Sequence, residues 1–257
     1  MTGRLRRATT TEQVLQLVGE RAACFNAIHC GAACVALARL AAVPVPTSRE
    51  SIDESRLRLL LARVVELLPS FEPRALANVL WAWAKWAQAR PEWRPDELHV
   101  RALSEESARK LHSFNAQDLS ISLYAYALLS HHPGTHILEA SIREAQGRLD
   151  AFTPQNLANS LWACATLGLD PGETFLALSA REAHRKLTAF TPQNLGNILW
   201  SYAKISYSPG EPFLRSLVGE SRRKLRDFNA QNISNSLWAY TQLGFSPRRE
   251  FLLELLR

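Results

Sequence analysis

A chain of 257 residues, 47% apolar and 21% charged, has the composition of an ordered protein with ample core, which argues against intrinsic disorder. Its formal net charge of +6 suits a polyanionic partner, although solubility alone accounts for a charge this modest. No apolar run approaches the roughly 18–20 residues of a membrane span, so no membrane association is expected.

The first residues are basic. Arg4, Arg6 and Arg7 precede any acid, the first being Glu12. Such a start fits either the tail of an organelle-targeting segment or an ordinary frayed terminus. Three of the four cysteines follow, at positions 24, 30 and 34. That spacing matches no zinc pattern, and Cys30 and Cys34 align with Leu or Ile of later segments. They read as small buried apolar residues, with no metal site and no disulfide framework expected.

One phrase then returns along the chain. It is degraded in FNAIHCGAACVALARL from Phe25 and clear in FEPRALANVLWAWAKW from Phe71 and FNAQDLSISLYAYALL from Phe114. It recurs in FTPQNLANSLWACATLG from Phe152, FTPQNLGNILWSYAKI from Phe190 and FNAQNISNSLWAYTQLG from Phe228. Between the five clear copies the phenylalanines are 43, 38, 38 and 38 residues apart. Self-similarity at this period signals stacked supersecondary units. The expected fold is therefore all-α: an αα-hairpin repeat solenoid, a right-handed superhelix of about six repeats, forming a single domain over 1–257.

Each repeat reads as two helices. In the Phe152 copy, Thr153 is a suitable N-cap, Pro154 fits the first helical position, and Phe152 with Leu157 form a hydrophobic staple. Asn115, Thr191 and Asn229 repeat the cap, and Gly168 and Gly244 close two of the helices. This is helix A. Helix B is expected to run from Asp96, Thr135, Glu173 and Glu211 toward the next phenylalanine, with Leu111, Leu149, Leu187 and Leu225 as one apolar column. Trp81, Tyr124, Trp162, Trp200 and Trp238 fill another column, on helix A. At helical spacing inside a repeat such a column reads as inter-repeat core rather than as a base-stacking platform.

The exposed stripe of helix A is expected at the third, seventh, eleventh and fourteenth residues after each phenylalanine, with the fourth at its rim. The third is Gln117, Gln155, Gln193 or Gln231; the seventh is Asn78, Asn159, Asn197 or Asn235; the fourteenth varies and includes Thr166, Lys204 and Gln242. The fourth is Asn156, Asn194 or Asn232 in the last three copies. Amides donate and accept, so a row of them can read base edges of a polynucleotide. They can equally tie backbone groups of the next repeat, and both readings stand for the asparagines. A second column, four residues before each phenylalanine, holds Lys110, Arg148, Lys186 and Lys224. It could grip phosphates. It could also serve i,i+4 pairs with Glu106, Glu144, Glu182 and Glu220.

Catalytic signatures are absent: no phosphate-binding glycine loop, nucleophile elbow, metalloprotease helix or metal cluster. No catalytic residue, metal or cofactor is expected. The phrase FTPQNLANSLWACATLG, its 38-residue period and the Pro91-Glu92-Trp93 turn resemble the octotricopeptide-repeat proteins of algae and related protists. They are also similar to the heptatricopeptide repeats of organellar RAP-domain proteins. The resemblance implies an α-solenoid in a mitochondrion or plastid that holds single-stranded RNA for processing, stability, translation or ribosomal RNA assembly. The alternative is a protein-binding scaffold of the same architecture. The last residues align with the start of a helix B, Phe251 and Leu252 matching Phe175 and Leu176. An apolar half-helix left uncovered there is expected to meet another chain, self-associate or fray.

Overall fold

The computed structural model describes residues 1–42 and 53–255, and those residues form fourteen α-helices and no strand. The fold is all-α, an αα-hairpin repeat stack. Contacts gather into two compact units, Met1–Ile137 and Leu138–Arg257.

Unit 1 contains α1 (Thr2–Arg7), α2 (Thr11–Arg21), α3 (Ala27–Ala41), α4 (Glu54–Leu67), α5 (Pro73–Ala89), α6 (Glu97–Arg109) and α7 (Ala116–Leu129). The boundary falls inside α8 (Thr135–Gln146). Unit 2 continues with α9 (Pro154–Leu167), α10 (Glu173–Arg185), α11 (Pro192–Ile205), α12 (Glu211–Arg223), α13 (Ala230–Gln242) and α14 (Arg249–Leu255). In unit 1 the A-type helix α5 packs on α3 and α7; in unit 2, α11 packs on α9 and α13. Each repeat thus covers the apolar flanks of its neighbour.

The local chemistry of each repeat is visible at its start. Phe25, Phe71, Phe114, Phe152 and Phe190 are all buried with extended backbone, and each follows a single 3-10 turn. Helix B is shorter than expected: it ends at Arg109, Gln146, Arg185 and Arg223, and the leucine column opens the 3-10 turn instead. The next residue caps helix A. Thr153 Oγ1 accepts from the Asn156 backbone N–H at 3.2 Å while Asn156 Oδ1 accepts from that of Thr153 at 3.0 Å. The same reciprocal box joins Asn26 to His29, Asn115 to Asp118, Thr191 to Asn194 and Asn229 to Asn232. At the other end Gly168 takes a left-handed conformation (φ 66°), as expected of a helix-ending glycine; Ser130 and Ser206 adopt it too, at φ 51° and 61°.

The longer spacing between Phe71 and Phe114 is absorbed before helix B. Helix α5 has 17 residues where α7 has 14, and the Pro91-Glu92-Trp93 turn follows it, with Trp93 set edge-on to Trp86 at 5.9 Å. The basic N-terminus is a packed helix rather than a frayed one: Leu5 is fully buried, and Arg39 of α3 donates to the carbonyls of Arg6 and Ala8 at 3.0 and 2.8 Å. Cys30, Cys34 and Cys164 are buried free thiols, pushed up to about 11, 12 and 12 by desolvation. In α14, Phe251 and Leu255 are buried, Phe251 lying edge-on to Tyr240 at 6.5 Å, while Leu253 is exposed. Residues 256–257 lie outside the described residues.

Candidate nucleic-acid interface

Helix A is buried on most of its circumference, and what it leaves accessible is one narrow stripe. In α9 that stripe is Gln155, Asn159, Trp162 and Thr166; in α11 it is Gln193, Asn197, Trp200 and Lys204; in α13 it includes Gln231, Asn235, Trp238 and Gln242. These are the third, seventh, tenth and fourteenth residues after each phenylalanine. At 100° per residue they lie within roughly 60° of one another. The eleventh residues (Ala163, Ser201 and Ala239 in unit 2) are buried. This corrects the expected stripe by one position. The tryptophan column, expected in the core, takes that place on the accessible face. Trp162 and Trp200 are half-buried, Trp238 is 39% exposed, and the Trp200 and Trp238 rings lie 6.3 Å apart with a tilt of 35°.

The amides divide into two groups. Asn156, Asn194 and Asn232, expected at the rim of the stripe, are buried as the reciprocal partners of their N-caps. Their side-chain oxygens are committed to backbone N–H groups, so they cannot read a base without unmaking a helix start. Gln155, Gln193 and Gln231 are exposed, and Asn159, Asn197 and Asn235 are half-buried. Among the described residues none of these six side chains makes a hydrogen bond within the chain. They are donors and acceptors without a structural task. Gln117, in unit 1, is likewise exposed on α7.

The basic column makes the expected i,i+4 pairs with glutamate, and its lysines also reach backbone carbonyls of the preceding repeat. Lys110 Nζ donates to the carbonyls of Pro69 and Phe71, both at 2.8 Å, and meets Glu106 at 3.0 Å. Lys186 donates to Asp150 and Phe152, both at 2.6 Å, and meets Glu182 at 3.4 Å. Lys224 donates to Thr188 at 2.7 Å and Phe190 at 2.5 Å, and meets Glu220 at 2.9 Å. An ammonium has three N–H bonds, and each of these lysines has at least three acceptors, Lys186 also lying 3.5 Å from the Leu149 carbonyl. The extended backbone at each phenylalanine turns its carbonyls outward, and the lysine one repeat later satisfies them. Arg148 pairs with Glu144 and also donates to its carbonyl at 2.9 Å. In unit 1, Arg63 takes the same role from one turn earlier, reaching the Phe25 carbonyl at 3.0 and 2.9 Å.

Two of the paired acids, Glu106 and Glu182, are buried yet held below the ordinary carboxylate value. Hydrogen bonds from Arg185, with Lys186, hold the Glu182 carboxyl below its ordinary value against the cost of burial. For Glu106 burial pushes upward, and the bonds from Lys110 and Arg109 more than offset it. Beside these lysines Arg185 and Arg223 keep 60% and 72% of their side chains exposed, so cationic surface persists along helix B.

Among the described residues no helix is long and apolar enough to cross a membrane, and no group of His, Cys, Asp and Glu could hold a metal ion. Residues 94–209 match the family model of the Tbc2 translation factor, N-terminal domain, a stretch from α6 through α11. No curated protein matches the sequence.

Proposed function

We propose that this chain is a nonenzymatic RNA-binding repeat protein that holds single-stranded RNA in an organelle, in support of translation. The observation that carries this reading is the stripe of unit 2, where three consecutive helices repeat glutamine, asparagine and tryptophan in the same order. An indole face stacks on any base, and an amide beside it donates to and accepts from base edges. Helices in such stacks are about 8–10 Å apart, a step that suits splayed, unpaired nucleotides read one per repeat. Similarity to a translation-factor domain supports the role in translation. The resemblance to octotricopeptide-repeat proteins supports a mitochondrial or plastid setting and extends the role to processing and stability.

The exposed tryptophans also favour a second reading, a scaffold for a protein partner, because aromatic side chains dominate protein interfaces as well. Salt separates the two. Titration of a labelled single-stranded RNA pool is expected to give micromolar or tighter binding at low salt that weakens as salt rises, because phosphate contacts release counterions. Absence of binding at low salt, with a polypeptide captured through the same tryptophans, would establish the scaffold instead.

A further inference from the structure

The first A-type helix of unit 1 carries none of the amides, yet its face is not blank. Along α3 the four stripe positions are Ile28, Ala32, Val35 and Arg39. Alanine stands where unit 2 has asparagine, and valine where it has tryptophan. The volume thus removed opens a cleft of about 500 Å³ between α3 and α5, with Ile28, Ala32 and Val35 as its apolar floor. Ile28, in the first turn of α3, is 65% exposed. Arg6, Arg39 and Arg74 also line the cleft. Arg39 is fixed by its bonds to the carbonyls of Arg6 and Ala8. None of the three guanidiniums comes within salt-bridge distance of a carboxylate among the described residues; Arg74 acts on Asp118 of α7 from farther away, and Glu72 is the one acid lining the cleft.

We infer that this cleft receives the phosphorylated end of the bound strand: the terminal base lies on the Ile28–Val35 floor and the phosphomonoester meets the arginines. The inference rests on the RNA-binding reading, since these four residues hold the same repeat positions, by sequence, as the residues proposed to carry the bases in unit 2. In the lining itself three guanidiniums stand against one carboxylate, an excess of two positive charges that Asp118, outside the lining, offsets in part at Arg74. A terminal phosphate carries nearly two negative charges at neutral pH, an internal phosphodiester only one, so the charge fits an end better than a midpoint. The space suits a ring because a ring is what the column otherwise holds.

Gly31 provides the test. It lines the cleft, and a Cβ added there would meet nothing within 4 Å, so a larger side chain grows into the cleft without disturbing α3. The full chain is titrated with three labelled oligoribonucleotides of one sequence, bearing a 5′-phosphate, a 3′-phosphate, or hydroxyls at both ends. One phosphorylated strand is expected to bind about tenfold tighter than the hydroxyl-ended strand, as for a well-made charged contact. Gly31→Phe should abolish that preference, so that this variant binds phosphorylated and hydroxyl-ended strands alike. Gly31→Ala, with the same helicity, should retain it. Equal binding of all three strands overturns the inference while leaving the RNA reading intact, as does a preference that survives Gly31→Phe. If no strand binds, the RNA reading fails first. Adenosine monophosphate binding without any strand would mark the cleft as a site for free nucleotide and would equally overturn the assignment to a strand end.

Discussion

Units 1 and 2 share their construction and differ in what they present. Both set a buried phenylalanine after a 3-10 turn and pack one A-type helix between two others. On the accessible stripe unit 2 repeats Gln, Asn and Trp three times, whereas unit 1 shows Ile28, Ala32 and Val35, then Arg74, Asn78 and Trp81, then Gln117, Ile121 and Tyr124. Since unit 1 folds with isoleucine and alanine at these positions, packing does not demand the amides. Uniformity on the stripe of unit 2 is what the proposed RNA-binding role calls for. Uniformity of the phenylalanines answers to the fold, and the two kinds of repetition have different causes.

That contrast is most exposed to test at the indoles. Trp200→Ala combined with Trp238→Ala should remove stacking worth about 1–3 kcal/mol per base, roughly 2–6 kcal/mol for two bases, a loss of about thirtyfold to more than ten-thousandfold in RNA affinity. Trp81→Ala in unit 1 should cost less. Binding measured by anisotropy would break the comparison if the unit 1 variant proved the more damaging.

Next in size is the lysine column. Lys224→Met strips a proton donor from two backbone carbonyls and from the buried Glu220, so about 1–3 kcal/mol of stability should go, read as a shift in urea midpoint. The slope of RNA affinity against salt should stay as it was. A slope reduced by about one unit with unchanged stability would instead make this lysine a phosphate ligand.

A finer cut separates two asparagines on one helix. Asn194→Ala breaks the reciprocal cap of α11 and should cost about 1 kcal/mol in thermal or chemical unfolding. Asn197→Ala, three residues on, should change stability by less than about 0.5 kcal/mol but alter which base is preferred at one position. Loss of stability at both would make the seventh-position amide a structural residue.

The smallest effect is on pH and should be alike in the two units. Glu106 and Glu182 have folded values below the ordinary 4.5, so the unfolded chain takes up their protons first as pH falls. Their contribution is complete above that ordinary value and is lost as pH drops through the lower folded values. Urea midpoints should therefore hold steady above pH 5.5 and decline below about 4.5. Lys186→Met should flatten part of that decline.

Much of this was legible in the residues, and the failures have physical reasons. The 38-residue period carried the helices and the phenylalanine seats, because each depends on local caps and apolar spacing. Geometry already placed the tenth residue nearer the stripe than the eleventh. What hid it was the habit of assigning tryptophan inward, a rule that holds only where a neighbour covers every side. Thr-x-x-Asn could have been read as a capping box, with asparagine in the place usually held by Glu or Gln. The lysines were half-legible: their glutamates lie four residues away, but the carbonyls they reach lie 34 and 36 residues back in unit 2, where only the folded chain brings them close.

Those offsets have a consequence for how such a chain grows. Lys186 meets Asp150 and Phe152 at the same two distances along the chain as Lys224 meets Thr188 and Phe190. Each of these two repeats brings one lysine for two carbonyls of the repeat behind it, and the glutamate that neutralises that lysine. A copied or excised 38-residue block therefore leaves no charge stranded and no carbonyl unserved at the new junction. Gene duplication can lengthen or shorten the array in whole steps, and selection is left to rewrite only the four residues that each new repeat shows to the outside.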